Sequence, residues 1–229
     1  MGEGIGNDEA IMPFISSANI ACGFHAGDDI TMNKTILLAK KHRVAVGAHP
    51  SFFDRENFGR TEMEFSLKEI YDLVQKQIKL VKSIAAKHDV KLQHVKPHGA
   101  LYNMSAKDVT IANTIALAVK DYDTNLILVG LSGSQSVKEA FRLGLKTKNE
   151  VFADRTYQDD GSLTPRSQPN ALINDVAQAV EQTLQMIYKK EVTTISGKKM
   201  PVVAETICIH GDGEYAVEFA KAINKSLTR

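Results

Sequence analysis

Gln93-His94-Val95-Lys96-Pro97-His98-Gly99 sets three ionisable side chains at alternate positions. In an extended chain, alternate residues share a face. Two imidazoles and an ammonium on one face are costly to desolvate unless they are paired. That face is therefore solvated or part of a site. Other strand ends carry the same signature: Ile20-Ala-Cys-Gly-Phe-His25-Ala-Gly-Asp28, Val44-Ala-Val-Gly-Ala-His49-Pro50 and Thr206-Ile-Cys-Ile-His210-Gly-Asp212. Each is an apolar run that stops at a histidine and then turns. Imidazoles at the ends of four separate strands point to an enzyme.

Strand and helix patterns alternate around these runs. A first helix is expected from about Asp8 and a strand over 17–23. Asp29 is expected to cap the next helix, and a strand over 44–48 follows. Ser66 and Glu69 make a capping box ahead of Ile70, Leu73, Val74, Ile78, Val81 and Ile84 at helical spacing. After the 94–98 strand come a helix from Asp108 and an aliphatic strand, 126–129, of the kind covered on both faces. Ser136 and Glu139 suggest another capping box, and Gly144 a helix stop. A short strand over 150–154 leads into a long polar loop, 155–170. A helix over 175–188, a surface loop or hairpin over 193–200, a strand over 205–210 and a helix over 214–224 complete the pattern.

This amounts to about six βα units, with no repeat and no linker, in one domain spanning residues 1–229. A β/α barrel and an open doubly wound sheet both fit. Functional residues at four strand ends favour the barrel, whose strands all open on one mouth. The chain starts on Gly2–Asn7, which reads as the loop leaving a strand. A first strand is therefore expected upstream and is missing from this chain.

Composition excludes some partners. Charged residues are 24%, hydrophobic residues 43%, and the net charge is +1. No nucleic-acid or membrane partner follows from such a balance. No run approaches the roughly 20 apolar residues of a membrane span. No secretory signal is visible, so a cytoplasmic protein is expected. Cys22 and Cys208 read as reduced core thiols.

His25, His49, His98 and His210 share a position just past a strand. They are candidates to hold a divalent metal that activates water, or to bind substrate and move protons without one. Taken singly, each could merely cap its strand. Lys96 is a candidate to hold a carboxylate or oxyanion, or to pair with an inward carboxylate. Asp154 is a candidate base or partner. Asn19 and His94 share the inward face as candidate substrate contacts. Arg155 and Arg166, on the long loop, could grip an anion in a bidentate fork. Arg60 has a weaker claim of the same kind. Asp28 and Asp212 suit helix caps. There is no phosphate loop: Ser196-Gly-Lys-Lys199 lacks the first glycine and its strand–helix context.

Together these segments resemble the LamB/YcsF family. The resemblance rests on residues 16–28, Gly47-Ala-His-Pro50, Phe58-Gly-Arg60, Gln93 to Asn103, Glu150 to Tyr157, Pro165-Arg-Ser-Gln-Pro169 and Ile209-His-Gly-Asp212. It covers essentially the whole chain. It implies a seven-stranded β/α barrel akin to the glycoside hydrolase/deacetylase superfamily. Gly2-Glu3 matches the family's start, but the strand before it, with its aspartates, is absent. The implied reaction is ATP-dependent opening of 5-oxo-L-proline to L-glutamate, together with two further subunits, B and C. Lys96, Arg155 or Arg166 would bind carboxylate or phosphate, and His98, His49 or Asp154 would move the proton. His25, His94, His210 and Asn19 would line the substrate. ATP enters as co-substrate, handled partly by the partner subunits. Two alternatives remain: a metal-dependent carbohydrate deacetylase or amidohydrolase, and a non-catalytic metabolite-binding scaffold subunit.

Overall fold

The computed structural model describes residues 1–228. Its elements, in chain order, are α1 (Asp8–Ile11), β1 (Ser17–Ala21), α2 (Asp29–His42), β2 (Ala45–His49), α3 (Leu67–Lys87) and β3 (Leu92–Val95). Next come α4 (Gly99–Lys107), α5 (Val109–Tyr122), β4 (Ile127–Leu131), α6 (Gln135–Arg142) and β5 (Lys146–Phe152). The last are α7 (Val176–Leu184), β6 (Glu191–Thr193), β7 (Lys199–Pro201), β8 (Thr206–Cys208) and α8 (Ala216–Leu227). Six strands form one sheet in the order β1-β2-β3-β4-β5-β8, and β6 and β7 make a separate hairpin. The β1/β2, β2/β3, β3/β4 and β5/β8 pairs are parallel. The fold class is α/β with a parallel sheet. Contacts group the chain into two compact units, residues 1–130 with 134–148, and residues 131–133 with 149–229.

In the first unit, Ile20, Val46, Val95 and Leu128 from the strands meet Ile36, Val74, Ile78, Val81, Ile115 and Val119 from the helices. Each such side chain contributes roughly 1.5–3 kcal/mol by leaving water. α3 turns one face to this core because Ile70, Val74, Ile78, Val81 and Ile84 recur every three or four residues. Its capping box is formed as the sequence predicts: Ser66 accepts from Glu69 N–H, and the Glu69 carboxylate accepts from Ser66. The edge of β1 is occupied by Met1, whose ammonium donates to Asn19 O and whose carbonyl accepts from Ala21 N–H.

In the second unit, Ala153, Ile173, Ala179, Phe219 and Ile223 pack together. Tyr157 is buried, and its hydroxyl accepts the Phe152 N–H at 2.7 Å. The 155–170 segment carries only isolated bridges, Arg155 with Leu172 and Tyr157 with Leu163.

Some local expectations change. Asp28, not Asp29, caps α2, accepting from Thr31 N–H. The second capping box is not formed: Ser134 stands at the N-cap of α6, Ser136 donates to Ser105, and Glu139 pairs with Arg142. The helix α4 was not expected. The third strand ends at Val95, but extended pairing continues, with Lys96 N–H donating to Ala48 O and His98 N–H to Pro50 O. Cys22 and Cys208 are buried and form no disulfide. Among the described residues, no helix is long and apolar enough to cross a membrane.

Candidate functional site

Parallel register places the site residues of the first unit in tiers. Asn19, Gly47 and His94 stand side by side on β1, β2 and β3. One tier further along, Ala21 pairs with His49, and Lys96 follows on the third strand. Past the strand ends come His25 and His98. Both are buried, as is His49.

The three upper rings touch. His25 and His98 stack, with centroids 3.9 Å apart and planes within 8°. His49 meets His98 edge-on at 4.7 Å. Gly99 and Gly59 let the supporting loops close over them. Gly99 sits at φ +55°, and a Cβ there would lie 2.2 Å from Gly59 O. Only glycine accepts that backbone at that distance.

Hydrogen bonding fixes which nitrogens are available. His49 Nδ1 lies 2.6 Å from Lys96 O, and His98 Nε2 lies 2.8 Å from Phe58 O. A carbonyl only accepts, so both nitrogens carry the proton. Neutral rings then leave lone pairs on His49 Nε2 and His98 Nδ1, and these atoms face each other at 3.0 Å. His25 repeats the pattern. Its Nδ1 is 2.8 Å from Ser51 Oγ, which itself donates to Phe52 O, so His25 Nδ1 donates. His25 Nε2 then turns its lone pair to the Glu3 carboxylate at 3.4 Å. Acceptors directed at one another repel unless a cation lies among them.

That cation is either a proton or a metal. Burial, the largest influence on each, lowers the proton affinity of His25, His49 and His98, and for His49 and His98 the neighbouring cations and imidazoles add to it. Burial also opposes charge on Glu3, but the influences favouring it, led by the N-terminal ammonium, hold the carboxyl well below its usual range. An anionic carboxylate among neutral imidazoles is a metal-ligand set. Ligand atoms of Glu3, His49 and His98 lie within 4.8 Å of one another. Both histidines also tether the rear N–H to a carbonyl, as ligating imidazoles do. Two nitrogens on one tetrahedral zinc at about 2.0–2.1 Å stand about 3.3 Å apart, so seating an ion asks for only a small opening. The residues fit a divalent cation.

Below this cluster, His94 Nε2 bonds Asn19 Oδ1 at 2.9 Å. Burial and the nearby Lys96 charge bring the His94 pKa down to about 4. The Lys96 ammonium lies 5.5 Å from the Tyr102 ring centroid.

The second unit holds a different constellation. Asp154 accepts from His210 Nδ1 at 2.9 Å and from the His210 backbone N–H at 2.8 Å. Burial opposes charge on Asp154, but His210 lowers its pKa overall. Arg155, read as an anion fork, is buried, with Nε donating to Ala171 O at 3.2 Å and Nη2 to Thr164 O at 2.5 Å. It staples the long loop. Arg166 stands half-buried on that loop. Arg60 lies over the Phe58 ring at 4.8 Å.

Glu3 is the functional candidate to which sequence reading gave no role. Its signal was the lone carboxylate in Gly2-Glu3-Gly4, next to residues that read as leaving a strand.

Three comparisons bear on this arrangement. The LamB/YcsF family profile matches residues 1–229. The chain is 49% identical to the A subunit of 5-oxoprolinase from Staphylococcus carnosus (strain TM300), across 100% of this chain and 93% of that protein. It is 53% identical to the protein of the same name from Shouchella clausii (strain KSM-K16), across 98% and 89%. The crystal structure of a lactam utilization protein from Thermus thermophilus superposes with a TM-score of 0.91 at 41% identity, covering 100% of this chain and 93% of that one.

Proposed function

The chain belongs to the LamB/YcsF family, and from that premise we propose that it is the A subunit of an ATP-dependent 5-oxoprolinase, opening 5-oxo-L-proline to L-glutamate in a multi-subunit complex. The observation that carries this reading is a set of three buried imidazoles and one half-buried carboxylate beside Lys96, in a chain about half identical, along nearly its whole length, to proteins of that name.

A lactam is a poor electrophile, and its amine is a poor leaving group. Phosphorylation of the lactam oxygen by ATP makes the ring carbon open to water. Water adds at that carbon, the C–N bond of the adduct breaks as the nitrogen takes up a proton, and a second water hydrolyses the resulting acyl phosphate to glutamate and phosphate. The chain has no phosphate loop, so subunits B and C would handle the nucleotide in part. Lys96 would hold the substrate's carboxylate or the charge developing on oxygen. Glu3, His49 and His98 would hold a divalent ion, which when bound supplies Lewis acidity and a more acidic water. His25, hydrogen-bonded to Ser51 and facing Glu3, would take the proton from water. In the second unit, Asp154 would fix His210 as a donor at Nδ1 and leave Nε2 to exchange protons.

The converging lone pairs also favour a second reading, a metal-dependent amide hydrolase acting without ATP. One assay separates the two. The chain, alone and with its B and C subunits, is given 5-oxoproline with and without ATP, and glutamate is measured. Glutamate that appears only with ATP and all subunits, and is lost in Lys96→Ala and His98→Ala, supports the first reading. Unchanged rates in those variants would remove the site assignment. Hydrolysis of acetylated sugars by the metal-loaded chain alone would favour the second.

A further inference from the structure

Gly47 leaves an opening in β2, and the ring of His94 fills it. A Cβ on residue 47 would lie 2.1 Å from His94 Nε2. Through that opening the imidazole crosses the whole of β2 to reach Asn19 on the strand beyond, in register. The pairing also carries an irregularity at this place: Val46 pairs with Leu92 but Gly47 with His94, so Gln93 is extra. Such bulges re-aim a side chain. Two local departures from regular pairing thus serve one imidazole.

Asn19 Oδ1 is an acceptor, so His94 Nε2 donates to it and Nδ1 keeps a lone pair. His94 is 6% exposed, and Nδ1 has no hydrogen-bond partner among the described residues. Nor is Nδ1 sealed: the one side-chain polar atom that is both sealed and unpartnered among those residues is Ser134 Oγ. The protein therefore presents a neutral, oriented acceptor on a deeply buried ring. Lys96, two residues on, adds a positive charge.

We propose that His94 Nδ1 accepts the ring N–H of the cyclic amide, and that Asn19 and Gly47 are positioning residues that hold it in that state. The assignment rests on the lactam reading of the previous subsection and deepens it. A lactam has one N–H donor inside the ring, next to the carbonyl that must be attacked. An acceptor beside a cation recognises that donor together with the substrate's negative charge. A lactone of the same shape would leave Nδ1 unpaired, and a buried unpaired acceptor discriminates strongly.

The test is titration calorimetry of the full chain assembled with its B and C subunits, using 5-oxo-L-proline and its lactone analogue, in which oxygen replaces the ring N–H. The wild type is expected to bind the lactam at least about tenfold more tightly. His94→Phe is expected to bring that ratio to about one, chiefly by weakening the lactam. Asn19→Leu and Gly47→Ala are expected to shrink it without touching the ligand. A measurement that needs no variant accompanies these. The ¹⁵N spectrum of the wild-type histidines should show His94 protonated at Nε2, with Nδ1 shifting on addition of lactam but not of lactone. A folded His94→Phe chain that still prefers the lactam, or a His94 protonated at Nδ1, overturns the assignment while leaving the lactam reading intact. A wild-type chain that binds neither compound removes the lactam reading and the role of His94 with it.

Discussion

The histidines of the first unit and the histidine of the second are held in opposite ways. His49 and His98 each give a proton to a backbone carbonyl. A carbonyl orients a ring without adding charge, so burial keeps the ring neutral with a lone pair on its other nitrogen. His210 gives its proton to Asp154. A carboxylate sets a full negative charge behind the ring and fixes which nitrogen points outward. The residue type alone does not say what an imidazole does. The atom behind it does.

The comparison breaks first at the carboxylate. Glu3→Gln or His49→Ala is expected to lower zinc affinity by more than about 100-fold, measured by competition with a chelator, because these side chains would be ligands and even supporting residues cost 10–100-fold. Unchanged affinity would return the first cluster to the status of a hydrogen-bonded pair. Asp154→Asn tests the other side. It is expected to lower glutamate formation by about 100-fold with zinc affinity untouched, since proton transfer contributes roughly 10²–10⁴. A variant that lost metal instead would erase the distinction.

A third effect sharpens the contrast through pH. His94 has a folded pKa of about 4 against an ordinary 6.5. Between those values the unfolded chain binds more protons, so stability rises with pH. The contribution is full above pH 6.5 and is lost as pH falls toward 4, a change on the order of 3 kcal/mol. Chemical denaturation across that window should show the slope, and His94→Phe should reduce it, the rest coming from His25, His49 and His98. The smallest effect concerns Arg155. Arg155→Lys is expected to cost about 1–3 kcal/mol of stability through lost charged hydrogen bonds. The KM for oxoproline should stay unchanged, because the guanidinium holds Ala171 and Thr164. A raised KM with stability unaltered would restore its reading as an anion fork.

What the sequence announced, and what it hid, follows from the range of the interactions. His25, His49, His98 and His210 end apolar runs, a local pattern, and the structure puts three of them in ring contact. The α3 capping box was legible for the same reason. Glu3 was not, because its partner is His25 and no spacing rule links the two. Helix α4 was hidden because His94 to His98 reads as a strand, although His98 already stands at the N-cap of a helix. Arg155 is ambiguous in sequence because a guanidinium on a loop looks the same whether it faces a ligand or its own backbone. Gly47 was quoted as part of a motif, but its meaning depends on the register between β2 and β3, which no single stretch contains.

That missing side chain also acts as a gauge of assembly. The imidazole of residue 94 fits over β2 at one position only, since Val46 and Ala48, on either side of the vacancy, carry side-chain carbon. If the two strands slid by a single residue, the ring would strike that carbon and the amide of residue 19 would lose its contact. Misaligned pairings are thereby penalised while the chain is still collapsing. A vacancy the size of one methyl group keeps the neighbouring staves in step.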